Sequence, residues 1–175
     1  MEKVKVLRMT KEDVEDVFHI EELIHPNHHW SKDSFYNEIA NNLAYYYCVK
    51  NENDKILAYI GVWQILEEAH VTTLGVHPDF RGLQLAQILL IQALKDCYKN
   101  MIKYVTLEVR ESNVLADTAN DEFFSESLRN AQKNYQDNGE NALIMFTQNI
   151  WYDTFKNNFN NLVSNISKVA VNYAE

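Results

Sequence analysis

The sequence predicts a mixed α+β sheet flanked by helices, on three observations. Two runs rich in aromatic and β-branched residues, 44–50 and 56–65, are joined by the short turn Asn51-Glu52-Asn53-Asp54, which marks a hairpin. A further such run, 69–77, leads through a loop containing Pro78 and Gly82 into a strongly apolar helical stretch over 85–99, and then into a strand over 103–110. Hairpins combined with a strand–loop–helix–strand unit give an α+β layer arrangement. Finally, the chain has 175 residues, 46% apolar and 23% charged, the size and balance of one globular domain with a sizeable core.

The elements follow in order. Residues 3–9 alternate Val4, Val6 and Arg8 with Lys3, Lys5 and Leu7, a strand pattern. Thr10-Lys11-Glu12-Asp13 sets an acid three residues after a hydroxyl, close to a capping box. Val14, Val17 and Phe18 carry helical spacing to about residue 24, where His25-Pro26-Asn27 breaks it. Ser31 opens a second helix with Phe35, Ile39 and Leu43 on one face. In the strand 44–50 the middle of Tyr45, Tyr46 and Tyr47 faces opposite to its neighbours. Leu66-Glu67-Glu68 turns the chain between strands. Residues 114–133 are polar and read as helical or loose, 141–149 as a strand. Residues 151–170 space Trp151, Phe155, Phe159, Leu162 and Ile166 as one helix face. The expected organisation is one domain over 1–150, with 151–175 a C-terminal amphipathic helix packed on it or extending it.

Charge and motif counts exclude several functions. Sixteen Lys and Arg against 25 Asp and Glu give a net charge of −9, which argues against a nucleic-acid binder needing a basic face and against a polybasic membrane anchor. No apolar run approaches the roughly 20 residues that span a bilayer, and Met1–Lys5 shows no signal-peptide core. Cys48 and Cys97 lie in apolar segments and read as core thiols, with a reducing compartment as the default. His25, His28 and His29 cluster near Trp30, but their spacing fits no common zinc pattern, so no metal is expected. Frequent Asn and few Arg reflect an AT-rich coding sequence and say nothing about function.

Three segments carry chemistry. The first is Val76-His77-Pro78-Asp79-Phe80-Arg81-Gly82-Leu83-Gln84-Leu85-Ala86. A loop that opens a helix after a strand presents backbone N–H groups and the positive end of the helix dipole to a phosphate, although an ordinary strand-to-helix connection has the same spacing. This run resembles the acetyl-CoA loop of the GNAT superfamily of acetyltransferases, Arg/Gln-x-x-Gly-x-Gly/Ala. Three further stretches narrow the resemblance: Trp63 to Thr72, Leu107 to Asn113, and Asp137-Asn138-Gly139-Glu140-Asn141-Ala142-Leu143-Ile144-Met145. They resemble the ribosomal-protein-alanine N-acetyltransferase (RimI-like) subfamily, in its cyanobacterial and plastid flavour. The resemblance covers roughly residues 3–150.

The resemblance implies the GNAT fold, with acetyl-CoA in a V-shaped gap between the strands at 70–77 and 103–110, and transfer of acetyl to a protein N-terminal α-amine. Leu74, Gly75, Val76, Arg81, Gly82, Leu83, Gln84, Leu85 and Ala86 are implied to contact the cofactor, and the amides around Leu74 and Val76 to polarise the thioester carbonyl. Glu108, near the end of a buried strand, is implied as the general base; a plain strand-end pair with Arg110 is the alternative. Asn113 is implied to reach the pantetheine arm, and it also suits a helix N-cap. Trp30, Glu67, Glu68 and Tyr135 are implied to border the acceptor. No metal, nucleic acid or membrane is implied; the expected setting is the cytoplasm or plastid stroma, as a monomer or weak dimer.

The sequence also departs from the resembled pattern. Asn120 stands where the family has the Tyr that protonates the departing thiolate, Phe124-Ser125 where it has Gly-Phe, Asn134-Tyr135 where it has paired tyrosines, and Gln84 where it has the first Gly of the loop. A Gln side chain there either crowds the pyrophosphate or donates its amide to it. Asn offers no transferable proton near neutral pH, but a thiol of pKa about 8.5 leaves readily enough for solvent to protonate it. Gln84 and Asn120 keep open a degenerate GNAT domain serving as an interaction module; an acetyltransferase for a small amine is a third reading, with the groove-side loops deciding the acceptor.

Overall fold

The structure is a computed structural model that describes residues 2–110, 125–134 and 141–175. The strands are β1 (Lys3–Arg8), β2 (Ala44–Asn51), β3 (Ile56–Ile65), β4 (Glu68–Val76), β5 (Tyr104–Arg110), β6 (Ser125–Asn134), β7 (Asn141–Phe146) and β8 (Ala170–Asn172). The helices are α1 (Val14–Ile24), α2 (Lys32–Ile39), α3 (Leu85–Lys99) and α4 (Asp153–Asn165). One mixed sheet runs in the order β6-β7-β5-β4-β3-β2-β1-β8. Its neighbours are antiparallel except β4 with β5 and β1 with β8, which are parallel.

Alternation along the strands fills two cores. On one face Val4, Val6, Tyr47, Val49, Leu57 and Ile60 pack with Ile88, Leu89 and Ile91 of α3 and with Phe155 and Leu162 of α4. On the other, Tyr46, Cys48 and Tyr59 pack with Val14, Val17 and Ile20 of α1 and with Phe35 of α2. Tyr46 thus faces opposite to Tyr45 and Tyr47, whose rings lie beside the Arg8 guanidinium on the first face. Both cysteines are buried free thiols, and burial pushes each up to about 12.

The start of α1 is built as its sequence implies. The Asp13 carboxylate accepts from the Thr10 N–H (2.8 Å) and the Thr10 hydroxyl (3.0 Å). A short 3-10 turn, Lys11–Asp13, precedes the helix proper. Asp13 is 6% exposed and also meets the Lys50 ammonium of β2 at 2.5 Å.

Four sequence expectations need correction. The helix face drawn through Phe35, Ile39 and Leu43 ends early: α2 stops at Ile39, and Leu43 is 51% exposed in the approach to β2. Within 114–133, residues 125 onward form the edge strand β6, paired antiparallel to β7; its polar composition suits a strand with an open edge. The strand read over 141–149 ends at Phe146. The last apolar stretch is not one helix to residue 170, because α4 ends at Asn165. The chain then extends and adds β8 alongside β1, with Lys3 opposite Ala170 and Ala170 N–H bonded to Glu2 O at 2.9 Å.

Burial raises the Asp13 pKa, but the hydrogen bonds from Lys50 and Thr10 outweigh it and hold the carboxyl below its ordinary value. A depressed folded-state pKa stabilises above the unfolded value, and that contribution fades as pH falls through the folded value. Asp13→Asn is therefore expected to cost about 1–3 kcal/mol near pH 7. In urea titrations the deficit relative to wild type should shrink below about pH 4, around the unfolded carboxyl's pKa.

Candidate acetyl-transfer site

β4 and β5 pair in register from Glu68↔Tyr104 to Val71↔Leu107 and no further. Beyond that point β5 stays beside β7, with Glu108 opposite Ile144, while β4 stays beside β3. The two strands part, and a wedge opens toward their C-terminal ends. The parting starts at a bulge: Val62 faces Val71 and the preceding Gly61 faces Thr73, so Thr72 is the extra residue. Such a bulge bends the strand that carries it. Tyr46 packs over Gly61, where a Cβ would stand 2.3 Å from the ring, and its hydroxyl meets the Thr72 hydroxyl at 3.1 Å. From Thr72 onward the β5-side edge of β4 has no strand beside it among the described residues, which frees backbone N–H and C=O groups there for a ligand.

Leu74, Gly75 and Val76 lie on this free stretch. Gly75 is buried and backed by Tyr59, whose ring would stand 2.4 Å from a Cβ. At the mouth of the wedge His77 accepts from the Asp79 N–H at 3.2 Å and starts a 3-10 turn over Pro78–Phe80. Arg81, Gly82 and Leu83 then lead to Gln84, the residue before α3. Gly82 has φ +81° and only open space where a Cβ would be, so this part of the loop is accessible. The first bond of α3 runs from Ile88 N–H to Gln84 O at 3.0 Å. The N–H groups of Leu85, Ala86 and Gln87 precede it and have no carbonyl within the helix. They stand with the helix dipole at the wedge, a suitable place for phosphate.

Gln84 itself is left-handed, φ +62° and ψ +22°, a conformation that costs a residue with a Cβ about 1–2 kcal/mol. That explains why the resembled loop has Gly here. The side chain neither crowds the loop mouth nor offers its amide to it. Its N–H₂ donates to Asn165 O (3.1 Å), and its oxygen accepts from the N–H groups of Ser167 (3.0 Å) and Lys168 (3.1 Å).

Glu108 is the first residue of β5 past the parting, and it is exposed. The α1–α2 connection lies at the same end of the sheet, since α1 runs back from the C-terminal end of β1, which is antiparallel to β4 through β2 and β3. Half-buried Trp30 sits there, beside a groove lined by His29, Ser31, Ser34, Asn37 and Glu38. Ser31 caps α2 by accepting from the Ser34 N–H at 3.1 Å.

Glu67 and Glu68 lie at the other end. They form the β3–β4 turn, where β4 and β5 are paired and closed. Glu67 meets the Lys103 ammonium at 2.6 Å, and Glu68 lies 3.5 Å from the His70 ring. At about 3.3 Å per strand residue they stand well over 10 Å from the wedge mouth. Both are thus held by neighbours away from the opening. Asn113, Asn120 and Tyr135 lie outside the described residues. No group of three or more His, Cys, Asp or Glu suited to a metal occurs among the described residues.

Sequence reasoning missed Glu21. It is 2% exposed at the end of α1, accepts from the Trp30 N–H at 3.2 Å and takes the Tyr59 hydroxyl proton into a hydrogen bond. Burial and the Glu21 charge hold the Tyr59 phenol well above its ordinary pKa, so it stays a donor. Trp30, Glu21, Tyr59 and Gly75 thereby connect the α1–α2 loop to β4 through the sheet. The available signal was phase: Glu21 falls about two turns after Val14 and one turn after Val17, on the buried face.

The acetyltransferase (GNAT) family model matches residues 12–117, which contain the wedge and loop. The chain belongs to the GNAT acetyltransferase family. It is an acetyl-CoA-dependent N-acetyltransferase, and the open wedge, bulged strand and loop fit that co-substrate. Over 144 residues it is 33% identical to a putative ribosomal protein bS18-alanine N-acetyltransferase of Bacillus subtilis (strain 168), a match covering 82% of this chain and 95% of the relative. It is 31% identical over 144 residues to the ribosomal protein bS18-alanine N-acetyltransferase of Haemophilus ducreyi, covering 78% of this chain and 94% of that protein. Among solved structures, the ribosomal-protein-S18-alanine N-acetyltransferase of Escherichia coli superposes with TM-score 0.71 at 24% identity over 83% of this chain and 93% of that one. A Thermoplasma acidophilum N-acetyltransferase in complex with coenzyme A superposes with TM-score 0.67 at 16% identity, over 83% and 99% of the two chains. These two superpositions support the fold.

Gly75→Ala places a Cβ against the Tyr59 ring on the strand that lines the wedge. It is expected to cost about 1–3 kcal/mol of stability, the usual penalty of overpacking, and to lower acetyl transfer. Chemical denaturation and a thiol-release assay check the two effects.

Proposed function

We propose that this enzyme transfers acetyl from acetyl-CoA to the α-amine of a protein N-terminus, of the ribosomal-protein-alanine type. The observation that carries the reaction is the parting of β4 from β5 just past Leu107, with exposed Glu108 as the first residue beyond it. The acceptor class is supported by the two relatives that are 31–33% identical over 144 residues. The groove beside Trp30 also holds Glu38, whose carboxylate accepts from the Trp63 indole N–H.

In this reading the thioester lies in the wedge and the pyrophosphate on the amides of Gly82 to Ala86, with Arg81 beside them. Backbone N–H groups around Leu74 and Val76 polarise the carbonyl. The amine enters from the α1–α2 side and gives its proton to Glu108, directly or through water. Its nitrogen then attacks the carbonyl, the C–S bond breaks, coenzyme A leaves as the thiolate, and the acetylated nitrogen gives its second proton to solvent. Holding both reactants in one geometry supplies much of the rate. By resemblance, Asn113 contacts the pantetheine arm, Tyr135 borders the acceptor, and Asn120 replaces the thiolate's acid, so solvent protonates the leaving sulfur.

Glu108→Gln is expected to lower turnover about 10²-fold or more, with little change in acetyl-CoA affinity, on peptides with free N-terminal Ala, Ser, Thr or Met. Unchanged activity from pH 6 to 9 would leave Glu108 a structural role only. Spermidine accepted in preference to every peptide would move the acceptor to small amines. With solvent as the acid, Asn120→Tyr should raise turnover about tenfold, worth about 1.4 kcal/mol of barrier; steady-state rates at saturating acetyl-CoA check this.

A further inference from the structure

We propose that Gln84 is a positioning residue. It latches the C-terminal segment to the acetyl-CoA loop, so that α4 and β8 hold the loop in its binding conformation. The proposal rests on the reading of that loop as the pyrophosphate site.

Gln84 is the hinge between the loop and α3. Its φ of +62° orients the Leu83 and Leu85 amides on either side of it. Glycine adopts this conformation unaided, whereas a residue with a Cβ needs its surroundings to enforce it. Here the enforcing contacts all come from one place. The Gln84 amide donates to Asn165 O at 3.1 Å, and its oxygen accepts from Ser167 N at 3.0 Å and Lys168 N at 3.1 Å. Asn165 ends α4, and its carbonyl belongs to the set that a helix terminus leaves without a partner. One side chain therefore caps α4 and fixes the start of α3.

The segment it grips is anchored on both sides. Before it, Phe155 and Leu162 are buried in the core beneath α3, and the Tyr98 ring meets Phe159 edge-on at 5.6 Å. After it, Val169 is 3% exposed, Ala170 N–H bonds to Glu2 O, and β8 pairs with β1. Beyond the strand, the Lys95 ammonium of α3 sits 3.6 Å from the centre of the Tyr173 ring. A segment fixed this way is rigid enough to hold a strained residue.

The test compares coenzyme A affinity, by calorimetry, in wild type, Gln84→Ala and Gln84→Gly, each full-length and each ending at Asn165. Amide hydrogen exchange of Ser167 and Lys168 is followed in the full-length proteins without ligand. Gln84→Ala keeps the strain and loses the latch, so its affinity should fall about tenfold, in line with the cost of an unsupported left-handed residue. Gln84→Gly loses both and should regain most of that affinity. Removing residues 166–175 should weaken binding in the wild-type background and change it little in the Gln84→Gly background. Exchange at Ser167 and Lys168 should accelerate in both full-length variants.

Equal affinity in wild type and Gln84→Ala overturns the latch, as does equal loss on truncation in both backgrounds. If the truncated proteins fail to fold, as judged by circular dichroism, the full-length Gln84→Ala and Gln84→Gly pair decides: no recovery in Gln84→Gly overturns the proposal. Absence of coenzyme A binding in wild type overturns the loop assignment instead. The exchange rates then still report whether Gln84 holds the tail.

Discussion

The structure depends on one constraint: β4 stays paired to β5 only through Val71 and Leu107. A parallel pair that continued to Val76 would bury the backbone edge of β4 and leave no wedge. The bulge at Thr72 breaks the match, and the tyrosine packed over Gly61 holds the bulge from the α1–α2 face through the Thr72 hydroxyl. The helices flank the consequence: α3 begins at the open end on one face, and the α1–α2 loop stands at the same end on the other. Glu108, the free amides of β4 and the α1–α2 connection lie at one end of the sheet because the strand directions bring them there.

The two faces of the sheet divide the work. The α1–α2 face holds a buried polar thread, Trp30 to Glu21 to Tyr59, whose ring backs Gly75. A buried carboxylate is tolerated only when its oxygens are hydrogen-bonded, and both oxygens of Glu21 are. The thread ties the α1–α2 loop to β4, the strand whose free edge lines the wedge. The α3–α4 face holds the loop before α3, which Gln84 joins to the chain after α4. Two devices thus fix the geometry from opposite sides, one with a carboxylate and one with an amide.

Departures from a family pattern at functional positions acquire meaning only in three dimensions. Gln84 in place of Gly looks like damage to a ligand site when seen along the chain. In the fold its backbone still takes the left-handed conformation, and its amide turns to the end of α4. Glu67 and Glu68 show the reverse. The resemblance implied that they border the acceptor, but their turn is at the closed end of the β4–β5 pair, where Lys103 and His70 hold them.

The amino-acid pattern alone determined much of this protein. Alternation in residues 44–50 and 56–65 determined which tyrosine faced which core, because strand side chains alternate by a local rule. The Thr10–Asp13 spacing placed the start of α1, and the apolar run over 85–99 matched α3 from end to end. The connection from Val76 to Ala86 was legible as the link between β4 and α3, and Glu108 as a residue of β5. The tail was not, because Ala170–Asn172 becomes a strand only by pairing with β1, some 165 residues away in sequence. For the same reason β6 was hidden: its polar residues have no local preference strong enough to announce a strand, and β7 supplies the partner. Glu21 and Gln84 have ordinary neighbours in sequence, and their roles come from groups that lie far along the chain, Tyr59 and Asn165. Local periodicity reports which face a residue occupies; only the packed sheet decides what stands on that face to meet it.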